Sequence, residues 1–205
     1  QSRLPEYTVD GATVDASKFG ADGKLIADDT LSGFFNVYKN GDKTKLVTGQ
    51  SVAYGKETLT TSLRLDGSPS FADGKEKSAI TFTAKQDFRL TLVAAQKGSG
   101  VPELQYAKDG GATVTLADAV FEKGTAAKYT VELPAGTYKL GSKNGLDIFN
   151  MSVKYIEKYE MNANDLDVSN AGEDGKFKVT ADTPVGTDGY FTVAGKGSKN
   201  VFIKL

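Results

Sequence analysis

The sequence predicts an all-β protein: an antiparallel β-sandwich of jelly-roll type, followed by the opening part of a second, similar module. Three observations carry that expectation. Short segments alternate apolar and polar residues at period two, the pattern of a half-buried strand. Asp-Gly and Asn-Gly pairs recur between them, at Asp22-Gly23, Asn40-Gly41, Asp66-Gly67, Asp73-Gly74, Asp109-Gly110, Asn144-Gly145, Asp174-Gly175 and Asp188-Gly189. Such pairs reach positive φ easily and close tight turns. Helical patterning is thin: only residues 117–122 suit a single turn, and no capped stripe at i, i+3, i+4 is present.

The strands follow in order. Residues 34–38 place Phe35 and Val37 on one face, with Phe34 and Tyr38 on the other. Residues 62–65 turn Leu63 and Leu65 inward and Arg64 outward, and residues 80–83 repeat that alternation. The strongest pattern runs from Phe88 to Ala94, with Phe88, Leu90, Leu92 and Ala94 sharing a face. Residues 113–116 form a short strand. Tyr129, Val131 and Leu133 recur at period two, and residues 137–140 follow. The stretch from Leu146 to Ile156 is long for one strand and is expected to bend or bulge near Asn150. Polar outer faces at period two argue for antiparallel strands around a two-layer core.

An internal repeat sets the domain organisation. Tyr7-Thr8-Val9-Asp10, Asp22-Gly23-Lys24, Ala27-Asp28-Asp29-Thr30 and Gly33-Phe34-Phe35-Asn36-Val37 are echoed in order by a second series. That series is Tyr159-Glu160-Met161-Asn162, Asp174-Gly175-Lys176, Ala181-Asp182-Thr183 and Gly189-Tyr190-Phe191-Thr192-Val193. Residues 1–157 are expected to form one module, and residues 158–205 a partial second copy packed on the first. A segment that short buries little core by itself, and the polypeptide is expected to continue beyond it.

Composition removes several chemistries. The 205 residues contain no Cys and no His. Zinc sites built on those ligands, Cys nucleophiles and His bases are therefore excluded. A formal net charge of -1 offers no basic excess for a phosphate backbone, so no nucleic-acid partner is expected. No apolar run approaches the roughly 20 residues that span a bilayer. Neither Gly-rich stretch, Lys97-Gly98-Ser99-Gly100 or Gly195-Lys196-Gly197-Ser198, precedes a helix as a phosphate loop must. The carboxylates cluster in turns beside glycine rather than as an evident catalytic pair, and no enzymatic activity is expected.

One stretch resembles a known family. Tyr54-Gly55-Lys56, Ser62-Leu63-Arg64-Leu65-Asp66-Gly67-Ser68, Ile80-Thr81-Phe82, Leu90-Thr91-Leu92-Val93-Ala94, the run from Leu133 to Ser142, and Ile148 carry the likeness. In that order they are similar to a bacterial β-sandwich module attached to pectate lyases, pectin esterases and other plant-wall enzymes. That module is the pectin-binding group of carbohydrate-binding modules. The resemblance covers about residues 7–157. It implies a secreted, non-catalytic module that binds plant cell-wall polysaccharide, pectin galacturonan or a related glycan, and raises the local concentration of a tethered catalytic module. It also implies basic contacts to galacturonan carboxylates, with Arg64 the best-placed match and Ser62 standing where relatives tend to carry another basic residue.

Glycan recognition needs an aromatic face and fixed polar groups. Trp is absent, so Tyr and Phe must serve. Tyr54, Tyr38 and Phe71 are the candidate platforms, and Arg64, Lys56 and Lys143 the candidate charge partners. Asn144 lies in the turn beside Lys143, where its place before Gly145 equally suits a turn former. Arg holds a carboxylate with two parallel bonds, whereas Lys acts as a point charge. Structural calcium is left open, with Asp28-Asp29, Asp165 with Asp167, and Glu173-Asp174 as oxygen donors; none fits an EF-hand loop. The rival assignments are a structural or adhesive spacer of a bacterial surface protein, recognised by a featureless surface, and an enzyme, recognised by two facing carboxylates in a cleft.

Overall fold

The computed structural model describes residues 4–157, 160–162, 190–194 and 200–204. The chain divides into two compact units, residues 1–155 and 156–205. The first holds β1 (Glu6–Asp10), β2 (Asp29–Thr30), β3 (Asn36–Tyr38), β4 (Thr44–Val47), β5 (Val52–Tyr54), β6 (Glu57–Leu59) and β7 (Ser62–Leu65). It continues with β8 (Ala79–Ala84), β9 (Phe88–Gln96), β10 (Glu103–Lys108), β11 (Val114–Thr115), β12 (Ala127–Leu133), β13 (Gly136–Lys143) and β14 (Leu146–Tyr155).

These strands build the expected antiparallel β-sandwich. One sheet runs β12-β9-β14-β7-β4, with β1 also paired to β14; the other runs β11-β10-β13-β8-β3-β2. From β7 to β10, and again from β12 to β14, consecutive strands alternate between the two sheets, the jelly-roll connection. In the long strands the inward face is the one that the period-two pattern marks, whereas β11 is exposed on both faces. Phe35, Val37, Leu63, Leu65, Ile80, Phe88, Leu90, Leu92, Leu140, Ile148 and Met151 all lie buried in one core. Phe88 meets Phe82 at 5.4 Å and Tyr138 at 5.1 Å, both edge-on, the arrangement aromatic quadrupoles prefer. Burying each such side chain contributes about 1.5–3 kcal/mol. The Tyr138 hydroxyl donates to the Pro134 carbonyl at 2.6 Å, and burial pushes its pKa up to about 12.

Local expectations were met unevenly. The long C-terminal strand carries a bulge between Ile148 and Asn150, where the sequence calls for one. Where described, the Asp-Gly and Asn-Gly pairs carry their positive φ on the glycine or, in the last pair, on Asn144. Residues 117–122 are not a helical turn. A single bond from the Ala119 N–H to the Leu116 carbonyl closes a turn there, and Phe121 drops into the core. Phe34 does not form an outer patch: it stacks on Tyr7 at 4.0 Å and packs against the core edge.

Both outer faces of the sandwich carry an added layer. The β5–β6 hairpin covers the first sheet. Its Val52, Tyr54 and Leu59 pack with Phe149, Val93, Ala95 and Ala126 in a second, smaller apolar cluster. It is tied down by Ala53, whose N–H donates to the Gly124 carbonyl at 3.0 Å and whose carbonyl accepts from Ala126 at 2.8 Å. Over the second sheet folds the loop of residues 66–78. It crosses so close to β13 that a Cβ on Gly141 would sit 2.8 Å from Pro69 and 3.1 Å from Phe71.

In the second unit, β15 (Glu160–Asn162) pairs in parallel with β16 (Tyr190–Ala194), and β16 pairs antiparallel with β17 (Asn200–Lys204). The expected packing of a partial repeat on the first module lies outside the described residues, as do most of the repeat's second series.

Candidate functional site

The outward face of the first sheet carries a connected set of fixed polar groups. Strand alternation sends Leu63 and Leu65 to the core, so Arg64 points outward from β7, opposite Asp147 of β14 on one side and Lys45 of β4 on the other. Arg64 donates from Nε to Asp147 Oδ1 at 2.7 Å and from Nη2 to Oδ2 at 3.0 Å. The two-pronged geometry assigned to a uronate is therefore taken by a carboxylate of the chain itself. Asp147 is only 2% exposed. Gln50 Nε2 also donates to it at 3.0 Å, and Ser62 Oγ donates to Gln50 Oε1 at 2.8 Å. Ser62, Gln50, Asp147 and Arg64 thus form one hydrogen-bonded chain. The bond to Asp147 raises the Arg64 pKa against the opposing effect of burial.

Next to that chain opens a cavity of about 280 Å³ lined by Asp42, Lys43, Lys45, Arg64, Asp66 and Lys97. Lys97 pairs with Asp66 at 2.8 Å. Burial disfavours the Asp66 carboxylate, but the Lys97 ammonium and the Gly67 N–H outweigh it, and its pKa falls below the ordinary range. Among the described residues no ion pair within 4 Å is formed by Lys43 or Lys45. With Asp147 counted behind Arg64, four cations face three carboxylates.

The other sequence candidates disperse. Tyr54 sits half-buried on the hairpin and borders a separate groove with Phe149 and Asn150. Lys56 stands exposed at the hairpin turn. Phe71 lies on the outer face of the second sheet, beside Lys139, at the edge of a third depression. Arg64, Tyr54 and Phe71 therefore line separate concavities rather than one. Asn144 occupies the β13–β14 turn with φ 65°, and its Nδ2 donates to the Val101 carbonyl at 2.8 Å. That is the turn-forming role. Lys143 is exposed and lies 3.6 Å from Glu103. Tyr38 is half-buried at the end of β3.

Lys43, Lys45 and Lys97 escaped the sequence reading. Thr44-Lys45-Leu46-Val47 carries only weak alternation, so β4 was not recognised, and Lys45 could not be set beside Arg64. For calcium, Asp28 accepts from the Lys39 N–H at 2.8 Å and Asp29 pairs with Lys18 at 2.8 Å. Among the described residues no three carboxylates gather as a metal site. Asp165, Asp167, Glu173 and Asp174 lie outside the described residues. Among the described residues no helix is long and apolar enough to cross a membrane.

No family model matches the chain, and no curated protein matches it. Solved structures do show likeness. One chain, from work on the Ruminococcus flavefaciens cellulosome and its expansion in glycan recognition, is 20% identical. The match covers 76% of this chain and 97% of that one, at a TM-score of 0.42. The CBM22-1–GH10 modules of a Clostridium thermocellum endo-1,4-β-D-xylanase, complexed with xylohexaose, are 11% identical over 73% of this chain and 28% of that one, at 0.36. A CBM35 from Cellvibrio japonicus Abf62 is 14% identical over 58% and 91%, at 0.32. Scores this low leave the functional assignment to the chain's own geometry.

Proposed function

We propose that residues 1–157 are a secreted, non-catalytic carbohydrate-binding module for plant cell-wall polysaccharide of the acidic, pectin class, carried beside a catalytic module that it holds at its substrate. One observation supports this above the others: the net-cationic cavity of Lys43, Lys45, Arg64 and Lys97 on the outward face of the first sheet. The β4–β7 register sets Lys45 beside Arg64, and Lys43 and Lys97 stand at the strand ends, directly before β4 and directly after β9. Lys43 and Lys45 are the groups that would meet a uronate carboxylate, and Arg64, held by Asp147, would present its remaining N–H groups. Residues 158–205 would be a partial second copy of the module.

The assignment is tested by affinity electrophoresis of the full chain in low-ester galacturonan, high-ester pectin, xylan, mannan and β-glucan. Retardation by low-ester galacturonan that fades as salt rises is the expected result. The double variant Lys43→Glu, Lys45→Glu should weaken it by about tenfold or more, since each contact to a charged group is worth about 1.5–3 kcal/mol. Retardation by neutral glucans alone would reject the acidic-glycan assignment. Retardation by nothing would leave the spacer, and release of new reducing ends would make the chain an enzyme.

A further inference from the structure

The bulge in β14 does more than bend the strand. Ile148 pairs with Ala94 and Asn150 with Val93, so Phe149 is the extra residue, and Phe149 and Asn150 are both turned to the outer face. Bulges of this kind re-aim side chains and are common beside binding sites. Phe149 is 3% exposed, because the hairpin sits on it. Asn150 stays at the edge, and its Nδ2 donates to Asp10 Oδ2 at 3.0 Å. Asp10 Oδ1 accepts from the Ala12 N–H at 2.8 Å, and the Gly11 N–H donates to the Phe149 carbonyl at 2.9 Å. The end of β1 is thereby pinned against the bulge.

Between this pinned edge and the hairpin lies a groove of about 350 Å³. Tyr54, Leu59, Val93 and Phe149 supply its apolar wall, and Asp10 and Glu57 supply carboxylates; among the described residues no Lys or Arg lines it. An ionised carboxylate has about four acceptor positions, and the two bonds named above leave Asp10 room for more. An aromatic ring beside hydrogen-bond acceptors suits a sugar, whose C–H face is apolar and whose hydroxyls donate. Two carboxylates, with no compensating cation among the described lining residues, repel a uronate. Asn150 lies three residues along β14 from Asp147, about 10 Å at the usual strand rise, so the groove and the cationic cavity are neighbouring but separate sites.

We propose that this groove is a second carbohydrate subsite, for a neutral sugar residue, with Tyr54 as its stacking platform and Asp10, Glu57 and Asn150 as its hydroxyl partners. It builds on the assignment of the chain as a glycan binder and gives that binder a site of opposite charge preference. The full chain, labelled with nitrogen-15, would be titrated separately with xylohexaose, mannohexaose, cellohexaose and oligogalacturonate while its amide spectrum is followed. At least one neutral oligosaccharide should shift the amides of Tyr54, Thr58 and Asn150 and leave those of Lys43, Lys45 and Lys97 in place. Tyr54→Ala should weaken that binding about tenfold, the value of a good aromatic contact, and Lys45→Glu should leave it unchanged. Because Tyr54→Ala also loosens the hairpin, the exposed variant Glu57→Lys gives a second reading: oligogalacturonate should now shift the groove amides. Three results overturn the proposal: no neutral oligosaccharide shifts the groove, oligogalacturonate shifts it in the unaltered chain, or Glu57→Lys brings no acidic sugar in. Failure of oligogalacturonate to move the Lys43, Lys45 and Lys97 amides would instead count against the cationic cavity alone.

Discussion

On the first sheet, the added layer is a hairpin seated on Phe149, Val93 and Ala95; on the second, it is the loop of residues 66–78, whose tip is latched by the Lys139 ammonium group. Lys139 Nζ donates to the Phe71 carbonyl at 2.8 Å, to Asp73 at 2.6 Å and to Glu76 at 3.2 Å. The hairpin is held by burial, which acid and moderate salt scarcely alter. The loop is held by charge-assisted bonds, which both can weaken. The difference also shapes the surface. A hairpin resting on a few apolar side chains leaves a groove along its edge, whereas the latched loop presses Phe71 onto Gly141. Tyr54 is thereby left beside open space, and Phe71 packs over Gly141 at the border of the neighbouring depression.

The largest effect should come from removing the seat of the hairpin. Phe149→Ala should cost about 3–5 kcal/mol, the range for deleting a buried Phe, and lower the midpoint of thermal unfolding. A loss no larger than that of a surface substitution, within about 0.5 kcal/mol, would break the contrast between the two layers. Somewhat smaller is the expected effect of Arg64→Ala. It strands the buried Asp147 carboxylate and should cost roughly 3 kcal/mol in urea unfolding. Because Gln50 Nε2 still reaches Asp147, a near-zero loss would show that Gln50 alone satisfies that charge.

The smallest effect concerns the latch. Lys139→Ala should cost about 1–2 kcal/mol in global stability, since its Asp73 partner is exposed while its Glu76 partner is largely covered. It should nonetheless speed tryptic cleavage after Lys75 or Lys77 within the loop. Acid sharpens the same contrast. The Lys139 bond holds the Asp73 pKa below the ordinary carboxylate range; at Glu76 its own backbone N–H is the largest cause, followed by Lys139 against the effect of burial. A carboxylate whose folded pKa is depressed stabilises the fold above its unfolded value, about 4, and loses that contribution as pH falls through the folded value. Protection of the loop from an acid-active protease should therefore fade below about pH 4, while the hairpin stays closed. Equal opening of both layers would erase the distinction.

Much of the fold was readable from short stretches. The runs from Phe88 to Ala94 and from Tyr129 to Leu133, and the bulge near Asn150, each show in local alternation or in strand length. Among the elements that escaped are β1, β10 and several whose pattern is weak. β4 and the β5–β6 hairpin strands are three or four residues each; of β4's apolar residues only Leu46 packs against the main core, and the hairpin's apolar residues face an outer cluster. The one helical turn inferred at residues 117–122 failed because Phe121 is drawn into the core from a turn. For the candidate site, Tyr54 and Arg64 were legible as residues of the right type. Their partners were not, since Asp147 lies 83 positions from Arg64, and Asn150 lies 140 positions from Asp10.

By itself the sequence determined which residues turn inward, where the chain reverses, and that zinc sites built on Cys or His, Cys nucleophiles and His bases have no residues to form them in these 205 positions. Those properties are local: a period-two pattern and a glycine after aspartate act through neighbouring residues alone. The tertiary structure decided that Arg64 is held by Asp147, that Lys43, Lys45 and Lys97 gather around one cavity, and that Tyr54 and Phe71 stand on opposite faces. Those outcomes depend on strand register and on which strands become neighbours, and both are set by burial of the whole core rather than by any segment within it.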